Sequence, residues 1–301
     1  MVEERARAPV GTIGVIQQKI FGLPVDRKIL FSNYKNVYRK NIEKRQRKLV
    51  IKVSFLKPFI KSSEKVLCIT TGHSPVTIFE KMGIGWLFVY LKRSLFVFTD
   101  QRILHIPTTP VYKYRQSITE ILYGSCKSVQ MKGRTLVVEY KKTGAIEKFF
   151  SIAGKEKKKI AALLKTVPLD GDGDIVNRRT NLCPRCITPL PDDRKKCQNC
   201  ELKFKNGIFA TLLAVLLPGG GYFYVRQYFL GIVSAILEIL FFITIAVSVN
   251  DYLNGMPVGL LWPSIAILLL ILEKIIVIIH IGVFIQDFIP QTKKIIPDPG
   301  S

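Results

Sequence analysis

The sequence is short of the residues from which most active sites are built. It has three histidines, His73, His105 and His280, far apart and outside any motif. It has no G-x-x-x-x-G-K phosphate loop, since Gly154-Lys155 lacks the upstream glycine and the following Ser/Thr. No nucleophile elbow is present. Acids are scarce, 22 Asp+Glu against 45 Lys+Arg. The first apolar patch follows an acidic Glu3-Glu4 and is broken by Gln17, Gln18 and Lys19, which does not read as a secretory signal. Asp170-Gly171-Asp172-Gly173-Asp174 mimics a calcium loop but has Ile175 and Asn181 where Gly and Glu belong, so it reads as a linker. Together these absences argue against an enzyme and against a secreted disulfide scaffold.

What is present is segregated along the 301 residues. From Gly207 onward there are four bases and five acids, a net of −1, so the part before it carries +24 and the whole chain +23. The neutral third holds three apolar segments, 207–225, 228–249 and 260–287. The second and third are long enough to cross a bilayer, which takes about 20 helical residues. The first is interrupted by Pro218 and Gly219-Gly220-Gly221, so it either crosses with a kink or dips in and returns. Lys203 and Lys205 precede these segments and the 250–257 loop has no Lys or Arg, which places the basic part in the cytoplasm of a multi-pass cytoplasmic (inner) membrane protein. Lys293-Lys294 in the tail favours an even number of crossings.

Four of the six cysteines fall in one window, Cys183-Pro184-Arg185-Cys186 and Cys197-Gln198-Asn199-Cys200. Each C-x-x-C turn puts two thiolates on one side of a knuckle, and two facing knuckles give the four corners that Zn²⁺ accepts. Paired disulfides or a redox C-x-x-C are the competing readings. Reducing cytosol and a motif that occurs twice favour a closed, structural zinc site. Cys68 and Cys126 stand singly in apolar stretches and read as core residues.

Residues 26–49 read as one basic amphipathic helix, with Leu30, Tyr34, Val37, Tyr38, Ile42 and Leu49 at helical spacing. Between Lys35 and Lys48, the seven bases Lys35, Arg39, Lys40, Lys44, Arg45, Arg47 and Lys48 stand against one acid, Glu43. Such a face suits anionic lipid. It equally suits a solvated helix packed on the next domain, and a nucleic-acid arm is a third reading. From about residue 49 the pattern shortens to candidate strands: Val50–Phe55, Lys65–Thr71, Gly85–Tyr90, Ser94–Thr99, Arg102–Ile106, Ser117–Gln130 with a break near Gly124, Arg134–Tyr140 and Ala145–Ile152. Ile160, Ala161, Leu163, Leu164 and Val167 then form a helical stripe. About seven strands closed by one helix make a small plugged barrel.

Three stretches resemble known families. Ser94-Leu95-Phe96-Val97-Phe98-Thr99-Asp100-Gln101-Arg102-Ile103-Leu104 resembles the strand pair of bacterial PH-like and GRAM-like domains, over about 50–167. That resemblance implies binding to headgroups, peptides or sister domains. The cysteine window resembles short zinc ribbons of bacterial membrane proteins over about 182–204, departing where a Gly often follows each pair, here Ile187 and Glu201. Pro218, Gly219, Gly221, Tyr224 and Gly231 match a small P-G-x-G-x-x-Y membrane-domain family over about 207–290, with Arg226 where that family has Gly. Residues 75–93 make a long apolar approach, read as a core strand or as a loop dipping Trp86 and Tyr90 into the membrane interface.

Glu238, Glu273 and Lys274 lie inside apolar segments, where ionisable groups face protein or water. They form either a proton or ion relay or an inter-helix pair, Glu238 with Lys274. The expected architecture is multidomain α+β plus α-helical membrane. It comprises an arm (1–49), a PH-like β-barrel with C-terminal helix (50–167), a linker (168–181), a four-cysteine zinc knuckle or ribbon (182–205), two to three transmembrane helices (206–290) and a tail (291–301). The expected role is a membrane-anchored scaffold or adaptor binding anionic lipids or a protein partner, itself included. A membrane-tethered nucleic-acid or ribosome binder and a transporter or channel subunit are the alternatives.

Overall fold

The computed structural model describes residues 19–75, 91–169, 178–191, 196–256 and 261–292. The expected Gly85–Tyr90 strand, the Trp86 loop, the Asp170–Asp174 linker and Lys293-Lys294 lie outside them.

A meander of four antiparallel strands organises the basic part: β3 (Val66–His73), β4 (Arg93–Thr99), β5 (Arg102–Pro107) and β6 (Ile118–Leu122). Both its faces are buried. Leu95, Val97, Leu104 and Ile106 point to one apolar cluster, and Phe96, Phe98 and Ile103 to another. A sheet covered twice needs apolar residues at every position, which is why β4 reads Leu-Phe-Val-Phe and not as an alternation.

One cover is the N-terminal stretch. The hairpin β1 (Lys19–Ile20) and β2 (Leu23–Pro24), the short α1 (Arg27–Leu30), α2 (Lys40–Lys52) and a 3-10 turn (Ser54–Phe59) place Leu23, Leu30, Val50, Leu56 and Phe59 on the sheet. The single helix expected over 26–49 is therefore two helices. Asn33 Oδ1 accepts the N–H groups of Lys35 and Val37, a local turn that competes with helix between them. The expected strand Val50–Phe55 is instead the end of α2 and the 3-10 turn. Its apolar run faces a buried sheet, and periodicity does not separate that from a buried strand.

The other cover is a second antiparallel sheet, β7 (Cys126–Lys132), β8 (Thr135–Tyr140) and β9 (Ile146–Phe149), with α3 (Gly154–Leu163). A 3-10 turn at Tyr123–Ser125 separates β6 from β7, at the expected break. Apart from the β1–β2 hairpin, the described strands form two sheets joined by one bridge, His73 with Phe150, and not a closed barrel. The outer edge of β3 is capped piecemeal. Asp26 N–H donates to Val66 O, the Gln46 amide both donates to and accepts from Ile69, and Ala153 N–H donates to Thr71 O. An open edge is thereby protected without a further strand.

The far edge is extended by β10 (Thr180–Leu182) and β11 (Pro189–Leu190), giving the order β11-β10-β6-β5-β4-β3. The cysteine knuckle thus continues the main sheet.

The apolar third begins with α4 (Gly207–Leu216), ten residues and about 15 Å long, half of what a crossing requires. The chain turns at Pro218 and Gly219 and comes back through α5 (Gly220–Tyr224) until the Tyr224 hydroxyl accepts the Asn206 N–H at 3.2 Å. The segment dips and returns. Gly219 has φ +65°, and a Cβ there would lie 2.1 Å from Gly231 O. At Gly221 a Cβ would strike Ile281 Cδ1 and Ala214 Cβ, so the hairpin packs only with glycine at both positions.

Two helices follow that are long and apolar enough to cross a membrane, α6 (Tyr228–Leu253) and α7 (Leu261–Ile285). Most of their large side chains face outward, among them Ile232, Ile236, Phe242, Leu268 and Leu272. The chain after α7 returns to the start of the hairpin, where Lys205 N–H donates to Ile289 O and Gln291 N–H to Lys203 O.

The basic and apolar parts are docked together. Leu91 belongs to the apolar cluster of Ala210, Tyr222 and Phe284. Arg115 donates to Leu91 O at 3.1 Å and to Gln227 Oε1 at 3.3 Å, and lies 5.7 Å from the Phe284 ring.

Candidate metal centre and basic face

The sulfurs of Cys183, Cys186, Cys197 and Cys200 all lie within 4.8 Å of one another. The closest pairs are Cys186–Cys197 at 3.4 Å and Cys183–Cys200 at 3.5 Å. A tetrahedral ion with metal–sulfur bonds of about 2.3 Å has corners about 3.8 Å apart, so these four residues fit a metal ion. With all four positions supplied by protein, such a site builds structure and has no place for substrate.

The two knuckles share one backbone pattern. Cys183 N–H donates to Thr188 O and Ile187 N–H to Cys183 O; Cys197 N–H donates to Leu202 O and Glu201 N–H to Cys197 O. Ile187 and Glu201, the residues after each pair, both take left-handed backbone, at φ 67° and 57°. The departure from glycine therefore leaves the turn intact and stores strain in it, about 1–2 kcal/mol per residue.

Burial pushes the Cys183 thiol up, against hydrogen bonds from the backbone of Cys186 and Arg185. Burial also opposes ionisation of Cys186. The Thr188 hydroxyl and backbone N–H outweigh it, with help from the neighbouring thiols, and bring Cys186 down to about 6. Thr188 Oγ1 is held in turn by Asn199 Nδ2 at 3.2 Å. Cys68 and Cys126 are buried, and burial pushes each thiol up to about 12.

The knuckle is a joint. Leu182 packs in the N-terminal core, while Phe204 and Phe288 meet edge to face at 5.5 Å on the other side. Strand pairing on one flank and the post-α7 chain on the other leave little independent motion for it.

The seven bases between Lys35 and Lys48 divide by role. Arg45 Nε reaches the buried Glu156 Oε1 at 2.6 Å, tying α2 to α3. Arg47 pairs with Glu43 at 2.7 Å and lies over the Phe31 ring. Lys35 lies 5.9 Å from the Tyr34 ring centroid. The side chains of Arg39, Lys40, Lys44 and Lys48 are exposed and make no hydrogen bond or ion pair among the described residues.

The three ionisable groups of the apolar part come together around Ser234. Lys274 Nζ donates to Glu238 Oε2 and to Ala214 O, both at 2.5 Å. Glu238 Oε1 accepts the Gly219 N–H at 3.1 Å. Ser234 Oγ lies 3.0 Å from Glu238 Oε1 and 2.5 Å from Glu273 Oε1. The pair thus caps both sides of the hairpin break: Lys274 takes a carbonyl left over at the end of α4, and Glu238 takes the N–H that opens α5.

Two buried networks escaped the sequence reading. Arg102 grips Glu64 through Nε and Nη2 at 3.0 and 2.9 Å, contacts Glu120, and donates to Phe59 O at 2.5 Å. The Thr99-Asp100-Gln101-Arg102 turn carries it. Thr99 Oγ1 accepts from Gln101 and Arg102 N–H, and Asp100 Oδ1 accepts from Lys65 N–H. His105 is buried with Ser74 and Ser94 hydroxyls at 2.9 and 3.1 Å from Nε2, and Thr119 at 2.8 Å from Nδ1. Burial, then the charges of Arg179 and Lys92, hold it well below its ordinary value. It resembles a Ser–His catalytic pair in composition only: it is shielded from solvent, and no carboxylate bonds to its ring among the described residues. Its partners lie 11 to 31 residues away, so no local motif announces it.

Comparison with protein-family models, with curated proteins and with solved structures returns no match for this chain.

Proposed function

We propose that this chain is a membrane-anchored, non-enzymatic adaptor. In this reading α6 and α7 cross the bilayer, the α4–α5 hairpin enters and leaves on one side, and the basic part lies in the cytoplasm. The four-strand meander, the three-strand meander and the closing helix act as a PH-like binding domain. The four cysteines hold Zn²⁺, which fixes the angle between that domain and the membrane helices. The exposed basic face of α2 then meets anionic lipid headgroups.

The observation that carries the reading is the division of labour on α2. Gln46 and Val50 are buried against the sheet, while Arg39, Lys40, Lys44 and Lys48 face out without protein acceptors among the described residues. A helix locked on one side and left unneutralised on the other presents a fixed patch of charge. Lys274 and Glu238 each hold a backbone group of the hairpin, which favours a structural role over transport.

The test is lysine-labelling kinetics on the full chain in nanodiscs of neutral or part-anionic lipid at physiological salt. Lys40, Lys44 and Lys48 should be protected in the anionic discs alone. Changing Arg39, Lys40, Lys44 and Lys48 to Glu, with Arg45 kept for Glu156, should remove residual contact with anionic lipid. Equal labelling in both discs would overturn lipid as the ligand and send the search to protein or RNA partners.

A further inference from the structure

The mouth of the hairpin holds a second cationic site, unrelated to α2. A cavity of about 610 Å³ opens there, walled by Lys205, Asn206, Phe209, Tyr224, Arg226 and Gln291. Lys205 Nζ donates to the Tyr224 carbonyl and lies 4.7 Å from that ring. Arg226 Nη2 donates to the carbonyls of Pro290, Gln291 and Thr292, at 3.2, 3.3 and 2.8 Å. These bonds orient the two cations without neutralising them. Arg226 Nε and Nη1 have no acceptor, and neither cation meets a carboxylate, among the described residues. Burial, then the Arg226 charge, brings Lys205 down to about 8, and burial lowers Arg226 as well. Two half-buried like charges that meet no counter-ion among the described residues are an unfavourable pair that an anion would relieve.

The backbone points the same way. Arg226 sits at φ 61°, a left-handed position that glycine fills freely and arginine fills at a cost of about 1–2 kcal/mol. Strain held at a cavity wall is a reason to look for function there. The surroundings narrow the ligand. Away from the mouth, Phe209, Leu212 and Leu216 on α4 and Tyr228, Ile232 and Ile236 on α6 form exposed apolar stripes at helical spacing.

We infer that this cavity binds the phosphate of an anionic phospholipid, with Lys205 and Arg226 on its oxygens and the acyl chains along those stripes. A choline headgroup brings its own cation to a site that already has two, so zwitterionic lipid is disfavoured.

Delipidated full chain in detergent, examined by native mass spectrometry with phosphatidylglycerol, phosphatidylcholine or inorganic phosphate, tests the assignment. Phosphatidylglycerol should bind about tenfold more tightly than phosphatidylcholine, the scale of one charge-assisted hydrogen bond. Inorganic phosphate at equal concentration should not displace it. Arg226→Gly removes the charge and suits the left-handed backbone, so it should lose that preference; Lys205→Met should behave alike. Equal binding of the two lipids, a preference that survives in Arg226→Gly, or displacement by inorganic phosphate would overturn the proposal.

Discussion

Ile187 and Glu201 occupy the same left-handed turn, one after each cysteine pair, and hold the two knuckles in matching geometry. Glu201 is exposed, and its ion pair with Lys196 at 3.6 Å lies at the surface. Surface pairs contribute little. Glu201→Gly should therefore stabilise the knuckle by about 1 kcal/mol, part of the strain being offset by the freer unfolded chain. Ile187→Gly should gain less, because Ile187 also packs against the core. Metal release during chelator challenge measures both, and faster release from Glu201→Gly would contradict the strain argument.

Metal removal should loosen the molecule at a joint and not only at the knuckle. The expected load is one Zn²⁺ per chain. Chelation should raise hydrogen exchange in 180–191 and in the 203–206 and 289–291 pairing, leaving β3–β5 protected. Exchange confined to 183–200 would show that the ion does not couple the sheet to the helices.

The Glu238–Lys274 pair gives an asymmetric prediction. Either Glu238→Leu or Lys274→Met leaves a partner and a backbone group unpaired, and each should cost about 3–5 kcal/mol. The double variant should cost clearly less than the sum of the two. Thermal unfolding in detergent closes the cycle. Additive losses would point away from a structural pair and toward separate roles.

Stability should also fall on mild acidification. His105 is held neutral in the folded state by burial, and His73 is lowered in the same direction, chiefly by burial. The unfolded chain takes up protons near the ordinary histidine value of about 6.5, so folding loses stability as pH drops below it and keeps it above. One such group contributes a slope of up to about 1.4 kcal/mol per pH unit. Melting temperatures between about pH 7.5 and 5.5, the range that brackets the ordinary histidine value, should show the decline, and His105→Gln should flatten it. An unchanged slope would assign the effect elsewhere.

Sequence alone located what depends on local pattern. Two C-x-x-C pairs locate the four cysteines that come close enough to hold a metal ion, because turn geometry acts over four residues. Two long apolar runs locate the candidate membrane helices, because hydropathy needs no partner. Hairpin strands from Ser94 to Phe149 follow from successive short apolar runs. Tertiary structure decided whatever depends on which face meets which. It broke the basic helix at Asn33 and sent the Val50–Phe55 run into helix, since a face buried on a sheet looks the same in sequence as a buried strand. It assigned Arg45 to Glu156, 111 residues away, and left Lys44 and Lys48 outside, a distinction no local charge count contains. It made the first apolar segment a hairpin, because a Pro-Gly break becomes a turn only where Glu238 and Lys274 satisfy the freed backbone groups. Local pattern fixes elements and ligand sets; burial and long-range pairing fix their roles.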